Sequence, residues 1–378
     1  MAGLTRKDIE TREQQMLAPY AALSSRSRGR AYPLDEHPLR TAFQRDRDRI
    51  IHSSAFRRME YKTQVFIPHD RDHFRTRLTH TIEVAQISRT MARILRLNED
   101  LAEAIALVHD LGHTPFGHSG EDVLNDLLKD NGGFNHNRQS LRVVDILEQR
   151  YDEHPGLNLT YEVREGIVKH ETKVQIRLPE FNPQEKPTLE ASLVDIADEI
   201  AYNAHDIDDG LSSGILTFED LDRTVFMDQL GLKQTLAKAS PSDDKSRYAL
   251  VRRLLDLMVT DVANETQRRI DRNSIGSLSD VRSAKEKLCA YSESTARTVS
   301  ELKDFLNRSL YKHSNLVGMS EWARKIIECI FARIKGETTL MPPRFQEMLL
   351  TEDAEIVIAD YIAGMTDRFA IKMYEELC

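Results

Sequence analysis

The densest chemistry in the chain lies at His109-Asp110-Leu111-Gly112-His113-Thr114-Pro115-Phe116-Gly117-His118-Ser119-Gly120-Glu121. This stretch combines three histidines and two carboxylates with the breakers Gly112, Pro115 and Gly117. Leu101, Ala104, Ile105, Val108 and Leu111 lead into it at the three- and four-residue spacing of one helix face. An adjacent His-Asp pair at the end of a buried helix is costly unless something pairs with it. A divalent metal offsets that cost, because neutral imidazole and ionised carboxylate are ligands for Mn, Fe, Zn, Co or Ni. A lone pair of this kind also suits a structural role, with the histidine satisfying a backbone carbonyl and Asp110 acting as a cap. The surrounding elements have to decide.

Two other elements supply candidate partners. A helix capped by Thr79, with Glu83 in its first turn, starts Thr79-His80-Thr81 and is predicted to run to about Leu97. Asn98-Glu99-Asp100 restarts a helix through Leu111, which delivers His109 and Asp110. The helix predicted over 189–208 is the second. At about 100° per residue, Asp195, Asp198, Tyr202, His205 and Asp206 share one arc, with Leu193, Ile196, Ile200 and Ile207 opposite. The apolar side reads as core, and the acidic side as either a solvated face or a source of ligands. His80, His109, Asp110 and Asp198 together form a mixed N/O set. Such a set suits Mn, Fe, Mg or Co better than structural zinc and leaves positions open for water.

The rest of the chain must hold these elements together. With 378 residues, 40% hydrophobic and 30% charged, it can bury a large core as one big domain or two smaller ones. Sparse Gly and Pro and long periodic segments predict an all-α fold, relieved by a short β-hairpin in which 63–67 is a strand and 68–73 the loop. Residues 1–40, punctuated by Ser, Gly and Pro, read as an extended arm, 41–215 as the catalytic core, and 216–378 as further helices. Those helices are predicted over 218–232, 248–264, 281–289, 295–310, 319–334 and 353–376, with 237–246 a flexible link. No segment offers the ~20 apolar residues needed to span a bilayer. A polar start and three scattered cysteines, Cys289, Cys329 and Cys378, point to a reducing, cytoplasmic setting with neither a disulfide framework nor a zinc knuckle. The net charge of −9 argues against the whole surface being a nucleic-acid platform. Residues 26–58 nevertheless hold nine arginines against four acids, either a solvated face or a surface that meets an anion such as phosphate.

The order His80 … His109-Asp110 … Asp198 resembles the HD superfamily of metal-dependent phosphohydrolases, which is all helical. Further segments resemble the dGTP triphosphohydrolase family within it: Arg45-Asp46-Arg47-Asp48-Arg49-Ile50, Ala55-Phe56-Arg57-Arg58, Lys62-Thr63-Gln64-Val65-Phe66 and Arg75-Thr76-Arg77-Leu78-Thr79-His80. So do the whole 109–121 stretch and Ala197-Asp198-Glu199-Ile200-Ala201-Tyr202, and more loosely Leu310-Tyr311-Lys312-His313. The match is strong over roughly 25–215 and weak beyond.

This resemblance implies an HD helical core that hydrolyses a deoxynucleoside triphosphate to the deoxynucleoside and tripolyphosphate. It implies His80, His109, Asp110 and Asp198 as ligands of a divalent metal (Mn, Mg, Fe or Co), with Asp198 preferred to Asp195 because the family's ligand stands four residues before the tyrosine. His118 matches the catalytic histidine and Glu121 its supporting acid, a role that fits a positioned imidazole acting as general acid toward the 5′-oxygen. His113 and His136 match histidines that contact phosphate, Gln64 and Asp206 residues that read the sugar, and Tyr202 the ring beneath it. Arg77 and Lys169 match phosphate holders. Asn137-Arg138 after His136 departs from relatives that carry Glu-Gln there. Lys169 with His170 also suits a helix C-terminus. His52 and His205 read as packing histidines, His69 and His73 as loop surface, and Tyr311 and His313 as either nucleotide contacts or core. The family further implies a homo-oligomer, often a hexamer, an activating dNTP at interfaces, and binding of single-stranded DNA. Two alternatives stand beside this reading: another HD phosphohydrolase acting on nucleoside monophosphates or signalling nucleotides, and a nucleic-acid-binding protein with a degenerate metal site.

Overall fold

The structure is a computed structural model that describes residues 3–65, 75–170, 178–233 and 243–378. It is all-α. The centre is three helices, Arg77–Ile94, Glu99–Val108 and Leu189–Ser213, packed side by side, with the long helix Asp244–Arg272 against the last of them. Their contact faces are apolar and closed: Val84, Met91, Leu101, Ile105, Val108, Leu193, Ala197, Ile200 and Ile207 are all at most 1% exposed. Full burial of each such side chain contributes about 1.5–3 kcal/mol, so these three helices form a rigid support for whatever their polar positions carry.

Two apolar clusters divide the molecule. The larger runs from Ala18 to Leu316. The smaller joins Phe116, Val123 and Leu124 of the 109–127 region to residues between Ala323 and Met373. The C-terminal helices Ser314–Gly336, Ala354–Ala363 and Asp367–Leu377 therefore pack directly behind the stretch that holds the chemistry. Two buried charged groups fasten this junction. Asp367 accepts from the backbone N–H of Thr63 at 2.9 Å and of Phe116 at 3.0 Å, and from the Thr63 hydroxyl. Lys62 donates its Nζ to the carbonyl of Ala363 at 2.8 Å and to that of His113.

Lys62 is 2% exposed, and burial, reinforced by Arg58, pushes its pKa down to about 7. The unfolded chain keeps that proton up to the ordinary lysine value near 10.5. Between about pH 7 and 10 the unfolded state therefore binds more protons than the folded one, and stability rises with pH. Relative to Lys62→Met, the wild-type protein should gain about 1.4 kcal/mol per pH unit in the middle of that window. Urea unfolding of both proteins at pH 7.5 and 9.5 checks this; parallel pH profiles would contradict it.

Several predicted boundaries shift for local reasons. Residues Arg6–Met16 form a helix inside the expected arm, because Thr5 and Asp8 make a reciprocal capping box. Thr76, not Thr79, caps the helix that carries His80; Thr79 is instead its partner at the third helical position. The expected single helix over 353–376 breaks at Gly364–Thr366 into two. Of the predicted hairpin, one antiparallel bridge, Thr63 to Thr76, is seen, and no strand forms among the described residues. Its loop, with His69 and His73, lies outside the described residues. Cys329 and Cys378 are paired across a 6.5 Å Cα separation, contrary to the expectation of unpaired thiols, because the last helix folds back on Ser314–Gly336. No helix among the described residues is long and apolar enough to cross a membrane.

The arginine-rich segment is largely engaged within the molecule. Arg47 meets Asp100 at 2.9 Å, Arg28 meets Glu185 at 2.9 Å, and Arg40 meets Asp48 at 2.6 Å. Arg30 pairs with the fully buried Asp46, and Arg49 donates to the carbonyl of Leu157 at 2.6 Å. Arg30, Arg40, Arg47 and Arg49 thus tie the helix Ala42–Ile51 to its surroundings, and Arg28 is held by Glu185.

Candidate metal centre

His109 is the C-terminal cap of the helix Glu99–Val108, where the carbonyls of the last turn lack intrahelical donors. Its Nδ1 lies 2.6 Å from the Ala106 carbonyl, which fixes the ring proton there. Nε2 then points a lone pair inward and is buried without a hydrogen-bond partner. It stands 3.4 Å from Asp110 Oδ1 and 3.7 Å from Asp198 Oδ1. His80, in the first turn of Arg77–Ile94, brings Nε2 to 2.9 Å from the same Asp198 oxygen. The ligand atoms of His80, His109 and Asp110 all lie within 4.8 Å of one another. An orphaned imidazole nitrogen converging with two carboxylates and a second imidazole fits a divalent cation of the Mn, Mg, Fe or Co kind.

The chain turns sharply after Asp110, and it has to. Ser140 accepts from the Gly112 N–H at 2.9 Å and donates to the His109 carbonyl at 2.8 Å. A Cβ at Gly112 would fall 2.2 Å from the Ser140 nitrogen and 2.3 Å from the His136 carbonyl. Phe116 and Gly117 then take left-handed conformations, φ 62° and 60°, and the helix Gly117–Leu127 begins with His118 as its second residue.

Electrostatics keep the carboxylates ionised. Burial opposes the charge on Asp110, but His109, Arg77 and His80 outweigh it and hold the carboxyl well below its usual range. Burial opposes the charge on Asp198 too, but the neighbouring imidazoles of His109, His170 and His80 outweigh it and hold the carboxyl well below its usual range. His170 lies 2.5 Å from Asp195 and 3.6 Å from Asp198; burial disfavours its proton, yet these two acids raise its pKa well above the ordinary value. Asp195 thus pairs with His170, and it is Asp198 that joins His80 and His109.

The cluster forms one wall of a cavity of about 290 Å³. Arg77, 1% exposed, reaches it with Nη1 bonded to Asp110 at 2.8 Å and with Nε and Nη2 unpartnered. His113, His118, His136, Gln64 and Tyr202 also line it. The His113 and His136 rings stack at 4.0 Å, and His118 meets His113 edge-on at 5.4 Å. Partial enclosure by protein, then the charge of Arg77, push the His118 pKa down to about 4, although the ring itself is open to the cavity. A second chamber of about 280 Å³ adjoins and shares Gln64, His118 and Tyr202; its other walls include Tyr311, Leu316, Met319 and Phe116. Tyr202 and Tyr311 lie with ring centroids 6.1 Å apart and nearly parallel.

Three expected site residues take other hydrogen-bond partners. Glu121 lies beside His118, their ligand atoms within 4.8 Å, but its hydrogen bonds go to His136, accepting from the backbone N–H at 2.9 Å and meeting Nδ1 at 2.9 Å. The helix turn from 118 to 121 rotates the carboxylate toward the start of helix His136–Arg142. Lys169 is drawn away by Glu165 and the Glu185 carbonyl, both at 2.8 Å. Asp206 is fully buried and accepts from the Tyr311 hydroxyl, so it supports the second chamber without lining it. Conversely, Lys303 lines the first cavity, 2.9 Å from Glu199. Nothing in its local sequence marks it, a single lysine on the amphipathic helix Glu293–Leu306.

Comparison with known proteins now decides the family. The HD domain matches residues 77–203, a span that includes Arg77 and Tyr202, and a phosphohydrolase-associated domain matches 289–376. A deoxyguanosinetriphosphate triphosphohydrolase-like protein of Thiobacillus denitrificans is 49% identical over 368 residues, covering 95% of this chain and 96% of its own. The chain belongs to that family. Proteins of the same description from Ralstonia pickettii, 48% identical over 96% of this chain and 94% of theirs, and from Geobacter sulfurreducens, 45% over 97% and 96%, agree. It is therefore an HD-domain hydrolase, with a His/Asp cluster that could hold a divalent metal and with the associated domain packed behind it.

Proposed function

We propose that the protein hydrolyses deoxynucleoside triphosphates, dGTP among them, to the deoxynucleoside and tripolyphosphate. The observation that carries this reading is the position of His118, on the boundary shared by two unlike chambers. One chamber presents Arg77 with two free nitrogens, His113, His136 and Lys303, groups suited to a polyphosphate. The other presents Tyr202, Tyr311, Leu316 and Met319, surfaces suited to a nucleoside. A substrate spanning both places its phosphate–O5′ bond beside His118.

The residues then divide the work. His80, His109, Asp110 and Asp198 would hold the cation, which supplies Lewis-acid stabilisation of charge. Arg77 and Lys303 bind and orient the phosphates, where clamping developing charge is most of the catalysis of phosphoryl transfer. Tyr202 and Tyr311 bracket the nucleoside, with Asp206 fixing the Tyr311 hydroxyl. His118 donates a proton to the departing 5′-oxygen. In the free protein enclosure and then Arg77 discourage that proton; a bound triphosphate neutralises the guanidinium and adds negative charge nearby, so its arrival favours the imidazolium when it is needed.

Incubating the purified protein with each dNTP and NTP under Mn, Mg or Co, and resolving products by anion exchange, tests the proposal. Tripolyphosphate from dNTPs is expected. Release of orthophosphate or pyrophosphate, or turnover confined to monophosphates, would refute it.

A further inference from the structure

His205 sits on Leu189–Ser213, seven residues beyond Asp198 and 2% exposed. Its Nδ1 lies 3.2 Å from His80 Nδ1, and its Nε2 pairs with Glu83. Glu83 is held in turn by Arg75, at 3.5 Å, which also meets Asp208 at 2.7 Å and Asp209 at 3.0 Å. With both rings neutral, as a metal-ligating His80 requires, these contacts leave one set of protons. Facing a carboxylate, His205 Nε2 must donate, so a neutral His205 presents a lone pair at Nδ1. His80 must then carry its proton on Nδ1, leaving a lone pair on Nε2. That nitrogen stands 2.9 Å from the ionised Asp198, an approach of two acceptors that a cation between them resolves.

We infer that His205 and Glu83 are positioning residues that fix the tautomer and ring orientation of His80, so that its Nε2 is committed to the metal. The inference rests on the reading of His80, His109, Asp110 and Asp198 as ligands, and assigns a task to a histidine whose helical position alone reads as packing. His109 obtains the same service from the Ala106 carbonyl. His80 Nδ1 meets no carbonyl but the ring of His205 from the neighbouring helix, and Glu83, on the same helix as His80, holds that ring from its far side.

The test is Mn(II) affinity by titration calorimetry on the full-length apoprotein, with the visible spectrum of the Co(II)-loaded protein as a second readout. His205→Leu should weaken Mn binding about 10- to 100-fold and change the Co(II) bands at saturation. His205→Gln, whose amide oxygen can accept from His80, should recover part of that loss. Glu83→Ala, at a half-exposed position on the helix surface, should weaken binding several-fold and decides the matter if His205→Leu does not fold. Wild-type affinity and an unchanged Co(II) spectrum in these variants, while His109→Ala has lost the metal, would overturn the positioning role alone. Retention of metal by His109→Ala would overturn the ligand assignment, and this inference with it.

Discussion

His109→Ala should leave the protein both without its divalent metal and without hydrolysis. The imidazole is fully enclosed, its Nδ1 is fixed by Ala106, and Nε2 has no partner other than what the cluster holds. Removing it deletes a preoriented ligand nitrogen from the cluster, so residual cation binding should fall by more than about 100-fold. Because the cation supplies several kcal/mol of charge stabilisation, turnover should fall by about 10³-fold or more. Asp198→Ala should behave alike. Metal content after dialysis and hydrolysis rates should fall together. A variant that lost activity with full metal content would show that His109 acts otherwise.

His118→Ala is expected to do the opposite with the metal. The ring lies on the boundary between the two chambers and groups with His113 and Glu121, apart from the cluster of His80, His109 and Asp110. Metal affinity should therefore stay at the wild-type value while kcat falls about 10²- to 10⁴-fold, the range for loss of a positioned general acid. KM should change little, since Arg77 and Lys303 still hold the phosphates. An aryl triphosphate, whose phenolate leaves without a proton, should lose much less than dGTP. Equal losses on both substrates would mean that His118 binds phosphate and transfers no proton.

How far these roles could be read before the fold depends on the distance in sequence between the groups that meet. His109 and Asp110 are adjacent, and Asp198 lies on a helix whose polar arc is visible from spacing alone, so the centre was legible. In the structure Asp195 pairs with His170, while Asp198 approaches His80 and His109. Pairings across elements were not legible. Glu121 lies three residues after His118, and helical spacing suggests a pair, but the backbone entry of His136–Arg142 offers it a stronger partner. Lys303, Asp367 and Lys62 act through contacts spanning roughly a hundred residues or more, for which local pattern carries no signal. His205 shows the same limit: its burial is foreseeable from its helical position, its two polar neighbours are not. In the fold, long apolar periodicities located most helices. Their ends moved where a cap decided them, as at Thr5 and Thr76.

The account rests on cleavage of the phosphate–O5′ bond at the boundary marked by His118. Hydrolysis of dGTP in water enriched in ¹⁸O, with both products analysed by mass spectrometry, tests it most directly. One ¹⁸O atom in tripolyphosphate and none in deoxyguanosine is the predicted result. Label in the nucleoside hydroxyl, or label in orthophosphate or pyrophosphate with no tripolyphosphate formed, would contradict it.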